Sequence, residues 1–234
     1  CSGSRRDSEE IYRCQACGLV KVKGQPMQPA SLLVITCGAI AREVMAVAKS
    51  SGWQNLKVTQ IPAELHNQPD KIPAAVEDRL AAYAADYDHV FAAFGDCGTG
   101  GQLDKVLDKY NIHRLSGSHC YEFYSGSDNF AAMSEQELGT FYLTDYLAKN
   151  FEQLIMEGMG LNKHPKLIEL MFAHYTKLVY LVQEPNRQLD HFAEAAAKKL
   201  GLKYERVETG YGQMAEELHT HYSNYTEQVI KWPS

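Results

Sequence analysis

Three cysteines in this 234-residue chain each follow a run of residues of the kind that forms a buried β-strand. Cys37 follows Ser-Leu-Leu-Val-Ile-Thr, Cys97 follows a run that begins at His89, and Cys120 follows a weaker run that begins at Ile112. If these strands are parallel in one sheet, their carboxyl ends meet at one edge, where α/β proteins place their sites. The three thiols would then converge on a shared metal or cluster site.

The chemistry of three thiolates suits a soft metal. Thiolate sulfur binds zinc, copper(I) and iron–sulfur clusters. Three protein ligands leave one position open, which on zinc suits water activation and on a four-iron cluster leaves one iron free to bind substrate. We predict that Cys37, Cys97 and Cys120 bind a 4Fe-4S iron–sulfur cluster or zinc. Two alternatives stay open: inert core cysteines, or one nucleophilic thiol at Cys97, whose pKa a helix N-terminus would lower.

A glycine-rich loop surrounds the second cysteine, Gly95-Asp96-Cys97-Gly98-Thr99-Gly100-Gly101, and lies between a predicted strand and a predicted helix. Glycines let the backbone approach a ligand closely and direct N–H groups at an anion, sulfide or thiolate. The cofactor-binding candidates are therefore Gly38, Gly95, Gly98, Thr99 and Gly100. The alternative is a tight turn that needs small residues, since the lysine of a phosphate-binding P-loop is absent.

Proton-transfer candidates lie beside the third cysteine, in Ser116-Gly117-Ser118-His119-Cys120-Tyr121-Glu122. We predict His119 and Glu122 as the groups that move protons if the protein is an enzyme. A helix would not direct both side chains at one site, and a capping or surface role for His119 is the alternative. Further candidates for the same sheet edge follow other strands: Glu64, His66, Asn67 and Tyr211.

The elements that must position these residues alternate between strands and helices from residue 31 onward. This order is typical of an α/β fold with a mainly parallel sheet and helices on both faces, a Rossmann-like three-layer arrangement. We expect one domain over 31–234, with a fourth strand at 112–117. The segment 140–175 reads mainly as helix, after a short extended start, and forms a lobe or a crossover.

Residues 1–30 are polar, lack sustained periodicity and are expected to form an arm. Cys14 and Cys17 form a CxxC pair, which is half of a zinc site, and no second half follows nearby. The first residue is Cys1 rather than Met, which indicates a truncated or processed start.

The composition excludes several classes of protein. The net charge is −6 and no basic stripe occurs, so we expect no nucleic-acid binding. No apolar stretch approaches the roughly 18 residues of a membrane span, and the N-terminus lacks the apolar segment of a signal peptide. Six cysteines are too few for a secreted disulfide scaffold of this length. We expect a cytoplasmic protein that binds a small molecule.

Four long motifs resemble a bacterial and archaeal family known as domain of unknown function 1638. They are ITCGAIAREV, LHNQPDKIPAAV, FGDCGTGGQLDKVL and RLSGSHCYEFYSG, and the resemblance runs from about Leu32 to Leu218. Members of that family are often met beside corrinoid-dependent methyltransferases acting on methylated amines. The resemblance therefore implies a one-carbon, corrinoid setting and a possible methyltransferase partner.

The leading hypothesis is thus a metalloprotein, either an enzyme or an accessory factor in corrinoid-dependent one-carbon metabolism. A non-catalytic module that binds an anion or a small molecule for a methyltransferase is the first alternative, although the corrinoid-binding DxHxxG signature is absent. A cysteine-nucleophile enzyme is the second.

Overall fold

The computed structural model of the chain describes residues 5–6, 9–14, 18–21, 31–136 and 139–230. Its strands are β1 (Arg5–Arg6), β2 (Glu9–Cys14), β3 (Gly18–Lys21), β4 (Leu32–Cys37), β5 (Leu56–Ile61), β6 (His89–Ala93), β7 (Thr140–Leu143), β8 (Lys177–Val182) and β9 (Lys203–Glu208). Its α-helices are α1 (Ala41–Ser50), α2 (Ile72–Tyr83), α3 (Gln102–Lys109), α4 (Cys120–Ser125), α5 (Ser127–Gln136), α6 (Asp145–Lys149), α7 (Lys166–Met171), α8 (Arg187–Leu200) and α9 (Gly212–Ile230). Short 3₁₀ turns span Ala63–Asn67, Pro69–Lys71 and Ala84–Asp86, and a π-helical segment spans Glu152–Glu157.

The parallel α/β class predicted from the sequence is confirmed, and its strands divide into two sheets. The first sheet has the order β5-β4-β6 and the second has the order β7-β8-β9, each parallel throughout. The central strands β4 and β8 are nearly continuous apolar runs because helices cover both of their faces.

The first sheet brings its strand ends to one edge. Thr36 in β4 is in register with Ala93 in β6, and Cys37 is in register with Ile61 in β5. The loops that follow these three strands therefore begin at the same level, beside each other.

The segment from residue 140 begins with the short extended start that was predicted and is then mainly helical. The extended start is β7, which pairs with β8, and α6 follows it. Thr144 stops the strand and caps the helix, since its side-chain oxygen accepts a hydrogen bond from the amide of Leu147. The helix then continues as the π-helical segment, a conformation that often marks functional positions.

The prediction of a fourth strand at 112–117 is wrong, since only one residue of this segment pairs with the first sheet. Arg114 forms a single parallel bridge with Ala92. The guanidinium of Arg114 donates to the carbonyl oxygens of Leu115 and Gly117, and Gly117 takes a φ of +107°, so the segment curls instead of continuing as a strand.

In the expected N-terminal arm, β1, β2 and β3 form a small antiparallel sheet. Cys14 is the last residue of β2, whereas Cys1 and Cys17 lie outside the described residues. The predicted half of a zinc site at the CxxC pair therefore also falls outside the described residues. Among the helices that the structure describes, none combines the length and the apolar character that crossing a membrane requires.

Candidate functional site

The three predicted thiols lie at the same edge of the first sheet. Cys37 is the last residue of β4, Cys97 lies four residues beyond the end of β6, and Cys120 is the first residue of α4. Each is partly buried. They lie within electrostatic range of one another, because Cys37 raises the pKa of Cys97, and both raise the pKa of Cys120. We call Cys37, Cys97 and Cys120 the thiol cluster.

Backbone contacts join the segments that carry the second and third thiols. The amide of Cys97 donates to the carbonyl oxygen of Ser118 at 2.8 Å, and the amide of Asp96 donates to that of Gly117 at 3.2 Å. Gly95 permits this approach, since a Cβ there would lie 3.2 Å from the backbone nitrogen of His119. The two segments are therefore held against each other.

The backbone of Cys97 has a φ of +51°, in the left-handed region that costs a residue with a side chain about 1–2 kcal/mol. Glycine would adopt this conformation without that cost, and glycines stand on either side of the Asp96-Cys97 pair. A strained cysteine at such a position points to a role for its thiol rather than to a packing role.

Burial sets the protonation of the thiol cluster. Desolvation raises the pKa of Cys37, and together with the charge of Cys37 it raises the pKa of Cys97 to about 12. Desolvation is also the main cause of the raised pKa of Cys120. The prediction that a helix N-terminus lowers the pKa of Cys97 is therefore wrong. The helix α3 begins only at Gln102, and the effect of burial on the Cys97 thiol outweighs that of the helix. Metal ligation would have to displace these protons.

The glycine-rich loop folds around an internal carboxylate. Asp96 accepts hydrogen bonds from the hydroxyl of Thr99 at 2.8 Å and from the amides of Gly101 at 2.8 Å and Gly100 at 3.1 Å. Desolvation acts to raise the pKa of Asp96, but these hydrogen bonds together outweigh it and lower the pKa. The sequence analysis predicted that the N–H groups of this loop bind an external anion. Such an anion would have to compete with Asp96 for them.

The other predicted cofactor-binding glycines have separate roles. Gly38 follows the first thiol and lies against β5, where a Cβ would be 3.2 Å from the carbonyl oxygen of Ile61. Gly98 is exposed, with a φ of +81°, and a Cβ there would lie 3.6 Å from the ring of Pro69.

The predicted proton-transfer residues both lie at the start of α4. The carboxylate of Glu122 accepts the amide hydrogen of Ser118 at 2.7 Å, which closes the turn before α4. This contact gives Glu122 a part in holding that turn. His119 is the N-cap residue of α4, and its ring centroid is 6.3 Å from that of Tyr121.

Beside the third thiol lies an apolar pocket of about 190 Å³. It is lined by Ala39, Ala63, His66, Asn67, Cys120, Tyr121, Phe141, Thr144, Leu147, Leu154, Ile155 and Met159. The first four residues precede or follow strands of the first sheet, and the last six come from β7 and the helices that follow it. Of the loop residues predicted from the sequence, His66 and Asn67 thus lie at this pocket. The surrounding protein and the charge of His119 lower the pKa of His66.

A second cavity, the polar cleft, adjoins the apolar pocket and shares Ala63 with it. It has a volume of about 470 Å³ and includes the side chains of Arg42, Glu43, Glu64 and Lys149. Glu43 is 4% exposed, and its Oε2 atom has no hydrogen-bond partner within the described chain. Desolvation raises the pKa of Glu43.

The polar cleft is braced by the second sheet. Asp145 is buried, accepts the hydroxyl hydrogen of Tyr180 at 2.8 Å and accepts the amide hydrogen of Glu184 at 2.9 Å. Glu184 in turn pairs with Arg42 at 2.6 Å and accepts the phenolic hydrogen of Tyr211. Tyr211, a candidate for the sheet edge in the sequence analysis, follows β9 and supports the rim of the cleft through Glu184.

Sequence reasoning missed Glu43 and the residues contributed by the second sheet. The signal for Glu43 was present, since it shares the apolar face of α1 with Val44 and Val47, where an acidic residue is unusual. No signal links the chain after residue 140 to the first thiol segments, because that contact exists only in the folded molecule.

The family model described as Protein of unknown function (DUF1638) matches residues 60–218, a range that includes Cys97 and Cys120 and begins after Cys37. No curated protein matches the chain.

One solved structure to which the chain is similar is the ornithine carbamoyltransferase from Pyrococcus furiosus. The identity is 15% and the TM-score is 0.24, over 78% of this chain and 55% of that one. The chain spans about half the length of that protein, and a likeness this loose carries no argument about function. The family match, in contrast, covers well over half of the chain, which therefore belongs to the family Protein of unknown function (DUF1638).

Proposed function

We propose that the protein binds a 4Fe-4S cluster through Cys37, Cys97 and Cys120, with one iron left free to take a small-molecule ligand. The observation that carries the proposal is that three thiols from three separate segments lie at the carboxyl edge of one parallel sheet, near enough for Cys37 to raise the pKa of Cys97 and for both to raise that of Cys120. Cysteine thiolates are the usual ligands of such clusters.

We rank a cluster above a single ion for these three thiols. Within the described residues, no group of three or more His, Cys, Asp or Glu side chains is spaced to hold one metal ion. A zinc ion needs its sulfurs about 2.3 Å away, which draws them close together. A cluster inserts iron and sulfide between the thiolates and accepts a wider triangle. Zinc is therefore the second candidate for the same three ligands.

The backbone near the thiol cluster supports this proposal. The amide of Ala39 points at the sulfur of Cys37, with 3.4 Å between nitrogen and sulfur. N–H groups directed at ligand sulfurs favour the thiolate and tune the reduction potential of a cluster. The strain at Cys97 is a second indication that the thiol itself is needed.

The test is metal and sulfide analysis of the full chain purified without oxygen, with optical and electron paramagnetic resonance spectra. We expect about four irons and four sulfides per chain. Cys37→Ser, Cys97→Ser and Cys120→Ser should each lose most of the iron, whereas the matched control Cys14→Ser should keep it. Stoichiometric zinc without iron would favour zinc, the second candidate, over the cluster. A folded protein that contains neither iron nor zinc would overturn both candidates.

The corrinoid-dependent one-carbon setting is an extension of this proposal, supported by the family resemblance alone. If the protein serves a corrinoid methyltransferase, calorimetry should detect binding of cobalamin or of the corrinoid protein to the loaded chain. If neither cobalamin nor the corrinoid protein binds, the corrinoid extension fails and the cluster proposal stands.

A further inference from the structure

The apolar pocket has a closed floor and an open mouth. Thr144, Leu147, Leu154 and Ile155 are between 2% and 9% exposed and form the floor. His66 and Asn67 are exposed and form the mouth. The pocket therefore offers an apolar interior with its only exposed polar side chains at the entrance.

The mouth is held in place by the second sheet's helices. The side-chain amide of Asn67 donates from Nδ2 to the carbonyl oxygen of Leu154 at 3.0 Å. That carbonyl belongs to the π-helical segment, which contributes Leu154 and Ile155 to the floor. Gly158 allows this close contact, because a Cβ there would lie 2.9 Å from the Asn67 side-chain nitrogen.

The lining disfavours a charged occupant. Apolar side chains supply most of the interior, and an ion moved there would lose its hydration without gaining a counter-charge. His66 lies at the mouth, and desolvation together with the charge of His119 lowers the pKa of its ring. A neutral imidazole can donate or accept one hydrogen bond.

We propose that this pocket binds a small, uncharged and mainly apolar molecule, with its single polar group held at His66 and its apolar body against Leu154. The proposal touches the proposed function in one respect: Cys120 lines the same pocket, so a cluster bound through Cys120 would lie beside the occupant. Binding by the pocket itself requires no metal.

The volume limits the size of the occupant. A cavity of about 150 Å³ lined by apolar side chains is known to take benzene. A pocket of about 190 Å³ therefore admits a molecule slightly larger than benzene, such as a six-membered ring with one hydroxyl group.

The first experiment measures the affinity of the metal-free full chain for cyclohexanol, cyclohexylammonium and cyclohexanecarboxylate by calorimetry. We expect cyclohexanol to bind at least tenfold more tightly than either ion. Equal affinities for the three probes would overturn the proposal.

The second experiment changes the floor and the mouth. Leu154→Ala should enlarge the pocket, so that 4-ethylcyclohexanol gains at least fivefold in affinity relative to cyclohexanol. The matched control, Leu200→Ala, removes a similarly buried leucine away from the pocket and should not change that ratio. His66→Phe should weaken cyclohexanol binding severalfold without weakening methylcyclohexane binding. An unchanged ratio in a folded Leu154→Ala protein contradicts the proposal, as does an unchanged cyclohexanol affinity in His66→Phe.

The two proposals fail in different ways. Iron loading without preference for the uncharged probe would remove the pocket proposal alone. If the purified protein contains no iron, but probe affinity changes in Leu154→Ala and His66→Phe as expected, only the cluster proposal fails. If both hold, cyclohexanol should alter the electron paramagnetic resonance spectrum of the reduced cluster, and His66→Phe should reduce that change.

Discussion

Cys97 and Ser118 are joined by a 2.8 Å hydrogen bond between the amide of the first and the carbonyl oxygen of the second. The bond places two of the three thiol segments side by side, although Cys97 and Cys120 are 23 positions apart along the chain. The arrangement of the thiol cluster therefore depends on loop backbone as much as on strand register.

The strain at Cys97 can be measured. Cys97→Gly should be more stable than Cys97→Ala by about 1 kcal/mol, because glycine adopts a φ of +51° without a steric cost. Urea unfolding of the metal-free variants measures the difference. Equal stability of the two variants would show that the backbone at this position is unstrained.

Asp96 is expected to stabilise the glycine-rich loop. Asp96→Ala removes the acceptor of three hydrogen bonds and should lower the free energy of unfolding by about 1–3 kcal/mol. The matched control is Asp108→Ala, on the exposed end of α3.

The effect of Asp96 should also depend on pH in a defined direction. The folded state lowers the pKa of Asp96, so its stabilisation is present above the unfolded pKa of about 3.9 and is lost as the pH falls through the folded value. The stability difference between wild type and Asp96→Ala should shrink below about pH 4. A difference that is constant with pH in acid would contradict the lowered pKa.

Glu43 is expected to destabilise the fold at neutral pH. Burial raises its pKa, so the folded state holds the proton more tightly than the unfolded state. Stability should therefore fall as the pH rises from the unfolded pKa of about 4.3 through the folded value. Glu43→Gln should remove this pH dependence and raise the free energy of unfolding at pH 7 by roughly 1 kcal/mol. The exposed Glu169→Gln is the control, and equal effects of the two changes would refute the role of burial.

Gly212 positions the helix that packs behind the third thiol. A Cβ at Gly212 would lie within 3 Å of the carbonyl oxygens of Tyr124 and Phe123, in the last turn of α4. Gly212→Ala should cost more than 3 kcal/mol, because both the backbone conformation and the contact are unfavourable. Gly52→Ala has a similar φ, +66°, with nothing within 4 Å of the added Cβ, and should cost only about 1 kcal/mol. Thermal unfolding compares them, and similar losses would show that crowding at Gly212 is relieved by a small shift.

The residues themselves indicate much of the fold and part of the site. Continuous apolar runs such as Leu32–Cys37 and Lys177–Val182 identify buried parallel strands, because both faces of such strands must be covered. The end of each apolar run also predicts where its strand ends. It therefore places Cys37 at a strand end and Cys97 in the loop after a strand.

Only the tertiary structure decides how these pieces combine. The division into two sheets, the apolar pocket between Cys120 and Leu154, and the burial of Glu43 depend on contacts between residues far apart in the chain. The pKa of Cys97 changes direction for the same reason: a helix nearby in sequence suggested a lowered value, whereas burial and Cys37 raise it. Desolvation and thiol proximity are properties of packed space, so the sequence alone determines which side chains are available and the fold determines what they can do.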